Sequence, residues 1–378
     1  MSKPRILIFS TAYLPFVGGA EVAIKEITDR LGDKYDFEML TANLDSGGPK
    51  KEKIGNILVH RFGNKLALAL FGVFKIFALG KSRFGLPNRG SSISQAKSGF
   101  DLFWSVQASY ASGPAYIYNI LKFWQKVPIV LTLQEGDSEE HLTKRHFGLI
   151  NLSWKLAVPR STKITVLSNY LAERAVKYGA LTKPEIIPNG VAEDFFREQW
   201  KGRDGKTIVT TSRLVHKNAV DILIQAMTEL PDSALWIAGE GPLRSDLESQ
   251  VLRSDLGIRV KFLGTVSRAD LPKLLASSDI FVRTSRSEGL GVSFLEAMAA
   301  GIPVIATPVG GITDFLRDRE TGLFCKVDDP KDLAEKVKEL AGNEDLREKV
   351  VRNARELIRE KYTWEKVSEQ MNYVFTKA

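Results

Sequence analysis

Four charged residues in the C-terminal half have the types and spacing best suited to chemistry. Arg213 and Lys217 stand four apart in Thr211-Ser212-Arg213-Leu214-Val215-His216-Lys217-Asn218, directly after an apolar run. A planar guanidinium beside a mobile ammonium suits a diphosphate, although solvated loop charges are the plain alternative. Glu288 and Glu296 stand eight apart and flank the turn Gly289-Leu290-Gly291. An ionised carboxylate only accepts hydrogen bonds, which suits the paired hydroxyls of a sugar or ribose. Glu296 is set among Phe294, Leu295, Ala297 and Met298, a poor setting for a solvated glutamate.

Glycines mark two further places. Gly18-Gly19 separates the first apolar run from an amphipathic stretch, and Gly239-Glu240-Gly241-Pro242 follows another apolar run. Such turns let backbone amides approach an anion closely, but they also serve as ordinary punctuation between strand and helix. Their spacing matches neither the Walker pattern nor Gly-x-Gly-x-x-Gly, which argues against an NTPase and against an NAD enzyme. The four histidines, His60 and His216 among them, show no metal-ligand spacing, and no nucleophile triad is suggested.

These residues need a scaffold of short strands. Apolar, β-branched runs at 5–9, 37–41, 101–105, 128–132 and 163–167 form one series; 207–211, 234–238, 259–263, 279–283 and 303–306 form a second. Near-continuous apolar strands separated by helices predict α/β architecture, a doubly wound parallel sheet built twice. The turn Ile187-Pro188-Asn189-Gly190 and the polar run 201–206 place the boundary at 186–206. Asp329-Pro330 predicts a capped start for a helix over 331–340, and Gly301 predicts the end of one over 293–300. No apolar stretch approaches the roughly 20 residues of a membrane span, and a lone Cys325 fits a reducing, cytoplasmic setting.

The motifs, taken in order over essentially the whole chain, resemble glycosyltransferase family 4. They are Pro15-x-x-Gly18-Gly19-x-Glu21; Pro188-Asn189-Gly190-Val191; Ser212-Arg213-Leu214-Val215 with Lys217; Glu288 and Glu296 as Glu-x7-Glu; Ala300-x-x-Pro303-Val304; and Tyr362-Thr363-Trp364. The resemblance implies a GT-B fold: an acceptor-binding domain (1–188, with the C-terminal helix 362–378 crossing back) and a donor-binding domain (189–361) facing a cleft. It implies a retaining transferase that takes a sugar from a UDP- or GDP-linked donor to a glycan or lipid-linked acceptor.

By that resemblance Arg213 and Lys217 bind the donor diphosphate, Glu296 the ribose, and Glu288 with Gly289, Leu290 and Gly291 the transferred sugar. Gly18 and Gly19 approach the phosphate, and Gly239, Glu240, Gly241 and Val266 contact the base. Neither a cofactor nor a metal is expected: no Asp-x-Asp occurs, and cations with a helix dipole handle the diphosphate. Three positions depart from the family pattern. Gln134 stands where many members carry histidine, Asn218-Ala219 follows Lys217, and Ala192 follows Asn189-Gly190-Val191. Gln134 leaves room for two alternatives, a noncatalytic binder or an epimerase-like protein acting on nucleotide sugars.

Charge separates the halves. Residues 1–188 carry 25 Lys and Arg against 15 Asp and Glu, and the remainder 28 against 30. One basic half predicts an anionic partner such as a lipid-linked acceptor or the cytoplasmic face of a membrane, while the lack of any nucleic-acid motif argues against DNA or RNA. Asp137, Lys144 and Arg145, near Gln134, are candidates for the acceptor. Residues 66–79 form an apolar stretch about 21 Å long as a helix, flanked by lysines and arginines. A helix buried on all sides is the expectation, with an interfacial segment as the alternative.

Overall fold

The computed structural model describes residues 2–16, 18–44, 49–81, 99–137, 139, 149–197 and 206–378. The chain divides into two compact units, residues 1–188 with 367–378 and residues 189–366. Each is a Rossmann-like α/β unit built on a largely parallel sheet.

The first unit holds β1 (Arg5–Ser10), β2 (Asp36–Thr41), β3 (Lys51–Ile54), β4 (Ile57–Arg61), β5 (Leu102–Val106), β6 (Ile129–Leu133), β7 (Lys163–Val166) and β8 (Glu185–Ile186). Their order is β3-β4-β2-β1-β5-β6-β7-β8. β1, β5 and β6 are buried along their whole length, which explains their unbroken apolar sequences. β3 runs antiparallel to β4. Its sequence, Lys51-Glu52-Lys53-Ile54, carries no apolar run and so escapes a search for hydrophobic strands; charges suit a strand at the sheet edge.

Helices α1 (Gly19–Leu31), α2 (Lys65–Lys81) and α3 (Gly113–Leu121) follow β1, β4 and β5. Leu7, Phe9 and Phe103 of the sheet share one core with Val73 and Ile76 of α2 and Tyr118 of α3. Trp104 instead meets Phe375, with ring centroids 5.3 Å apart. Phe375 lies on the last helix, Trp364–Lys377. The Tyr35 hydroxyl also donates to Asn372 Oδ1 of that helix at 3.0 Å.

One expectation is corrected here. α2 is not buried on all sides: Leu68, Val73, Ile76 and Leu79 are buried, but Leu66, Leu70, Phe71 and Phe74 are each more than half exposed. α3 packs along one flank, where a side chain at Gly72 would collide with Pro114, and leaves the outer flank bare. His60, in β4, is structural. Its ring contacts Glu38 at 3.0 Å, and Arg5 contacts the other oxygen at 2.5 Å. Burial alone would raise the Glu38 carboxyl, but these two partners outweigh it and hold it below the usual range.

The second unit holds β9 (Thr207–Thr211), β10 (Ala234–Ala238), β11 (Val260–Gly264), β12 (Ile280–Arg283), β13 (Val304–Ala306) and β14 (Leu323–Phe324), all parallel, in the order β11-β10-β9-β12-β13-β14. The helix Val292–Ala300 ends at Gly301 in a left-handed conformation. The helix Pro330–Gly342 starts at Asp329, whose side chain accepts from the Asp332 amide. Among the described residues no helix is long and apolar enough to cross a membrane.

Candidate active site

In the second unit the strand order reverses at β9, which pairs with β10 on one side and β12 on the other. Ligands of doubly wound sheets bind outside the carboxyl ends of the strands at such a switch point. The loop after β9 carries Arg213 and Lys217, and the loop after β12 carries Glu288, Gly289, Leu290 and Gly291. The two loops are therefore neighbours although about 70 residues of sequence separate them.

Several hydrogen bonds staple these loops together. The Arg286 amide donates to the Lys217 carbonyl at 2.7 Å, and the Thr284 hydroxyl to the Ala219 carbonyl at 2.8 Å. The Arg286 side chain reaches the His216 carbonyl at 2.7 Å and holds Asp221 through both its amino groups, at 2.8 and 3.2 Å. Arg213 remains exposed, while its carbonyl accepts from the Asn218 side chain at 2.6 Å.

Sequence reasoning missed Arg283, which places one guanidinium at the centre of this arrangement. It donates to Glu288 Oε2 at 2.7 Å, to Asn218 Oδ1 at 2.8 Å and to Ser293 Oγ at 2.7 Å. The Arg283 and Glu288 side chains are only 10% and 12% exposed, and Phe294 lies under the guanidinium at 5.4 Å. A single nearly buried cation thus joins the β9 loop, the Glu288 loop and the first turn of the helix that carries Glu296. The available signal was a charge ending the apolar run Ile280-Phe281-Val282.

Backbone packing fixes Glu288 as well. A side chain at Gly310, whose φ is +54°, would lie 1.9 Å from the Glu288 carbonyl oxygen, and the Gly311 amide donates to that oxygen at 3.1 Å. Glu296 is buried in the helix Val292–Ala300. Burial pushes its carboxyl up to about 7, with Arg268 pulling the other way.

The loops after β10 and β11 complete the edge. Gly239 donates to the Gly264 carbonyl at 2.7 Å, close to Val266 in sequence. Gly239 and Gly241 also have a packing reason to be glycine, since side chains there would enter the backbone of Ser212 and Leu214. Glu240 pairs with Arg244.

In the first unit, β1 is the switch point, between β2 and β5. Gly18 and Gly19 open α1 after β1, and both are exposed. A side chain at Gly18 would lie 2.6 Å from Glu21 Oε2. Glu21 is raised by burial, while hydrogen bonds from its own amide and that of Gly18 act in the opposite sense. The loop after β5 went unnoticed in the sequence. Gln107 there holds a left-handed backbone, φ +69°, uncommon outside glycine, and Thr11 after β1 donates to Ser109 at 2.9 Å.

Gln134 and Asp137 follow β6, the strand beside β5. Buried Arg174 holds this loop by its carbonyls, donating to Glu135 at 3.2 Å and Asp137 at 2.8 Å, and Trp154 donates to the Glu135 carboxylate at 2.9 Å. Lys144 and Arg145 lie outside the described residues.

Residues 192–357 match the family described as "Glycosyl transferases group 1", and residues 17–195 match "Glycosyltransferase Family 4". An uncharacterised glycosyltransferase of Methanocaldococcus jannaschii is 28% identical over 95% of both chains. A GDP-mannose-dependent phosphatidylinositol monomannoside mannosyltransferase of Mycolicibacterium smegmatis is 36% identical over 42% of this chain and 47% of that one. Among solved structures, the Anabaena protein HepE in complex with UDP and glucose aligns with a TM-score of 0.77 at 19% identity, over 99% of this chain and 100% of that one.

Proposed function

The chain belongs to the group 1 and family 4 glycosyltransferases and has their GT-B type of fold, and on that premise we propose that it moves a sugar from a UDP- or GDP-linked donor to a glycan or lipid-linked acceptor, with retention and without a metal ion. The observation that carries this reading is the junction of the β9 and β12 loops, which brings the loop bearing Arg213 and Lys217 against the loop bearing Glu288 at the carboxyl ends of the strands.

Transfer breaks the bond between the anomeric carbon and a phosphate oxygen, whose electron pair leaves with the diphosphate, and forms a bond from that carbon to an acceptor hydroxyl oxygen, whose proton passes to the departing diphosphate. Arg213 and Lys217 stabilise that growing charge, so no metal is needed for it. Glu296 accepts the ribose hydroxyls and must be ionised to accept both. Glu288, pinned by Arg283, takes a hydroxyl of the transferred sugar, and the 239–241 loop with Val266 borders the base. In the first unit Gln134 and Asp137 serve the acceptor. With the leaving diphosphate as base, Gln134 needs only to hold a hydroxyl and carries no proton. UDP and GDP are the favoured donors because HepE was solved with UDP and the mycobacterial relative is GDP-mannose-dependent.

Titration calorimetry with UDP, GDP and ADP in the presence of a chelator tests this reading. Binding of one nucleotide, weakened in Arg213→Ala and Glu296→Ala, is expected. No binding by any of the three puts the noncatalytic alternative first, and binding only after a divalent ion is added refutes metal independence.

A further inference from the structure

We propose that the outer flank of α2 and the turn after α3 form a docking face for an anionic lipid bilayer. The proposal draws on the glycosyltransferase reading only for its purpose, delivery of the enzyme to a lipid-linked acceptor.

Leu66, Leu70 and Phe74 recur at i, i+4 and i+8 and so stack along one side of α2, with Phe71 bordering them. All four are more than half exposed. The turn after the partner helix α3 carries Phe123 and Trp124, 68% and 64% exposed, whose rings meet edge to face at 4.6 Å. Lys122 joins the two elements, its ammonium lying 5.8 Å from the Phe77 ring of α2 and 5.6 Å from Trp124. Isolated exposed apolar residues are ordinary, but six large ones on two packed elements are not.

Charge selects the occupant. From residue 53 to residue 134 the sequence carries ten Lys and Arg and one acid, Asp101. Asp101 accepts from the Arg5 amide at 2.8 Å. A second copy of this chain would therefore bring lysines against lysines, which disfavours a symmetric pair. An anionic bilayer answers both features. Leu, Phe and Trp side chains enter the region between headgroups and acyl chains, while Lys65, Lys75, Lys122 and Lys126 reach to the lipid phosphates on their aliphatic stems.

The test is co-sedimentation of the full chain with phosphatidylcholine vesicles, with and without phosphatidylglycerol. The wild type is expected to partition about tenfold or more better onto the anionic vesicles, and to lose that preference as salt is raised. Phe74→Asp with Trp124→Asp lowers partitioning about a hundredfold, since each aromatic side chain withdrawn from burial is worth about tenfold. Lys75→Gln and Lys122→Gln each lower it about fivefold on anionic vesicles only. Circular dichroism and nucleotide titration of the variants report the fold and the donor site separately, so a wild type that docks yet binds no nucleotide sinks the transferase reading and leaves the face assigned. Docking is overturned by equal partitioning on both vesicles, by aspartate variants that sediment like the wild type, or by a wild-type dimer that these variants turn monomeric. Retention by a soluble polyanion without vesicle binding overturns it equally.

Discussion

The two sheets share a design, a strand with neighbours on both sides and functional loops at the carboxyl ends, yet they hold those loops differently. In the second unit, arginines tie the β9 loop to the β12 loop: Arg283 contacts Asn218, Glu288 and Ser293, and Arg286 contacts His216 and Asp221. In the first unit, the contact between the β1 and β5 loops is a hydroxyl pair, Thr11 with Ser109, and the β6 loop is hung from Arg174 by backbone carbonyls. The Arg283–Glu288 pair is nearly buried and the Arg286–Asp221 pair half-buried, and charge-assisted contacts of this kind demand one geometry. In the β6 loop most of the hold is on the backbone, with the Glu135 carboxylate held in addition by Trp154, so Gln134 is set by main-chain contacts around it and not by an ion pair.

The largest effect should come from breaking the better-clamped edge. Arg283→Met leaves Glu288 nearly buried without its partner and should cost about 3–5 kcal/mol in urea unfolding. Adding Glu288→Gln should recover much of that loss, and full additivity would show that the pair is not coupled.

Glu296→Gln is next. The folded carboxyl sits at about 7, above its ordinary 4.5, so the folded protein holds this proton more tightly than the unfolded chain. Stability therefore falls as pH rises from 4.5 to 7, and the cost stays in full above 7. The glutamine variant should be more stable than wild type at pH 8, by about 3 kcal/mol, with no difference near pH 4. Nucleotide affinity of the wild type should rise through pH 7 as the carboxylate forms, and that rise should vanish in the variant.

Arg174→Met in the first unit should cost about 1.5–3 kcal/mol for the hydrogen bonds lost to Glu135 and Asp137 and leave nucleotide binding unchanged. A fall in nucleotide binding would erase the contrast between the two edges. Smallest in stability is Arg213→Ala. This exposed side chain should leave the unfolding midpoint in place while lowering nucleotide affinity about tenfold or more. A shifted midpoint would make Arg213 a structural residue.

Much of this was legible in the residues. Apolar runs marked β1, β5, β6, β9, β10 and β12 because parallel strands buried on both faces permit little else. Asp329-Pro330 and Gly301 marked helix ends because capping and left-handed backbone restrict residue choice locally. The order of motifs marked Arg213, Lys217, Glu288 and Glu296. Three things were not legible. β3 is held by pairing to β4 and not by its own composition. α2 is apolar all round in sequence, and only the packing of α3 decides which flank is buried. Arg283 looks like the polar end of a strand, and its importance comes from Asn218 and Ser293, residues on other elements. The sequence by itself determined the local structure and the chemical types of the site, since these follow from neighbours along the chain. The tertiary structure alone decided which cation meets which carboxylate and which apolar face stays bare, because those depend on pairings between distant segments.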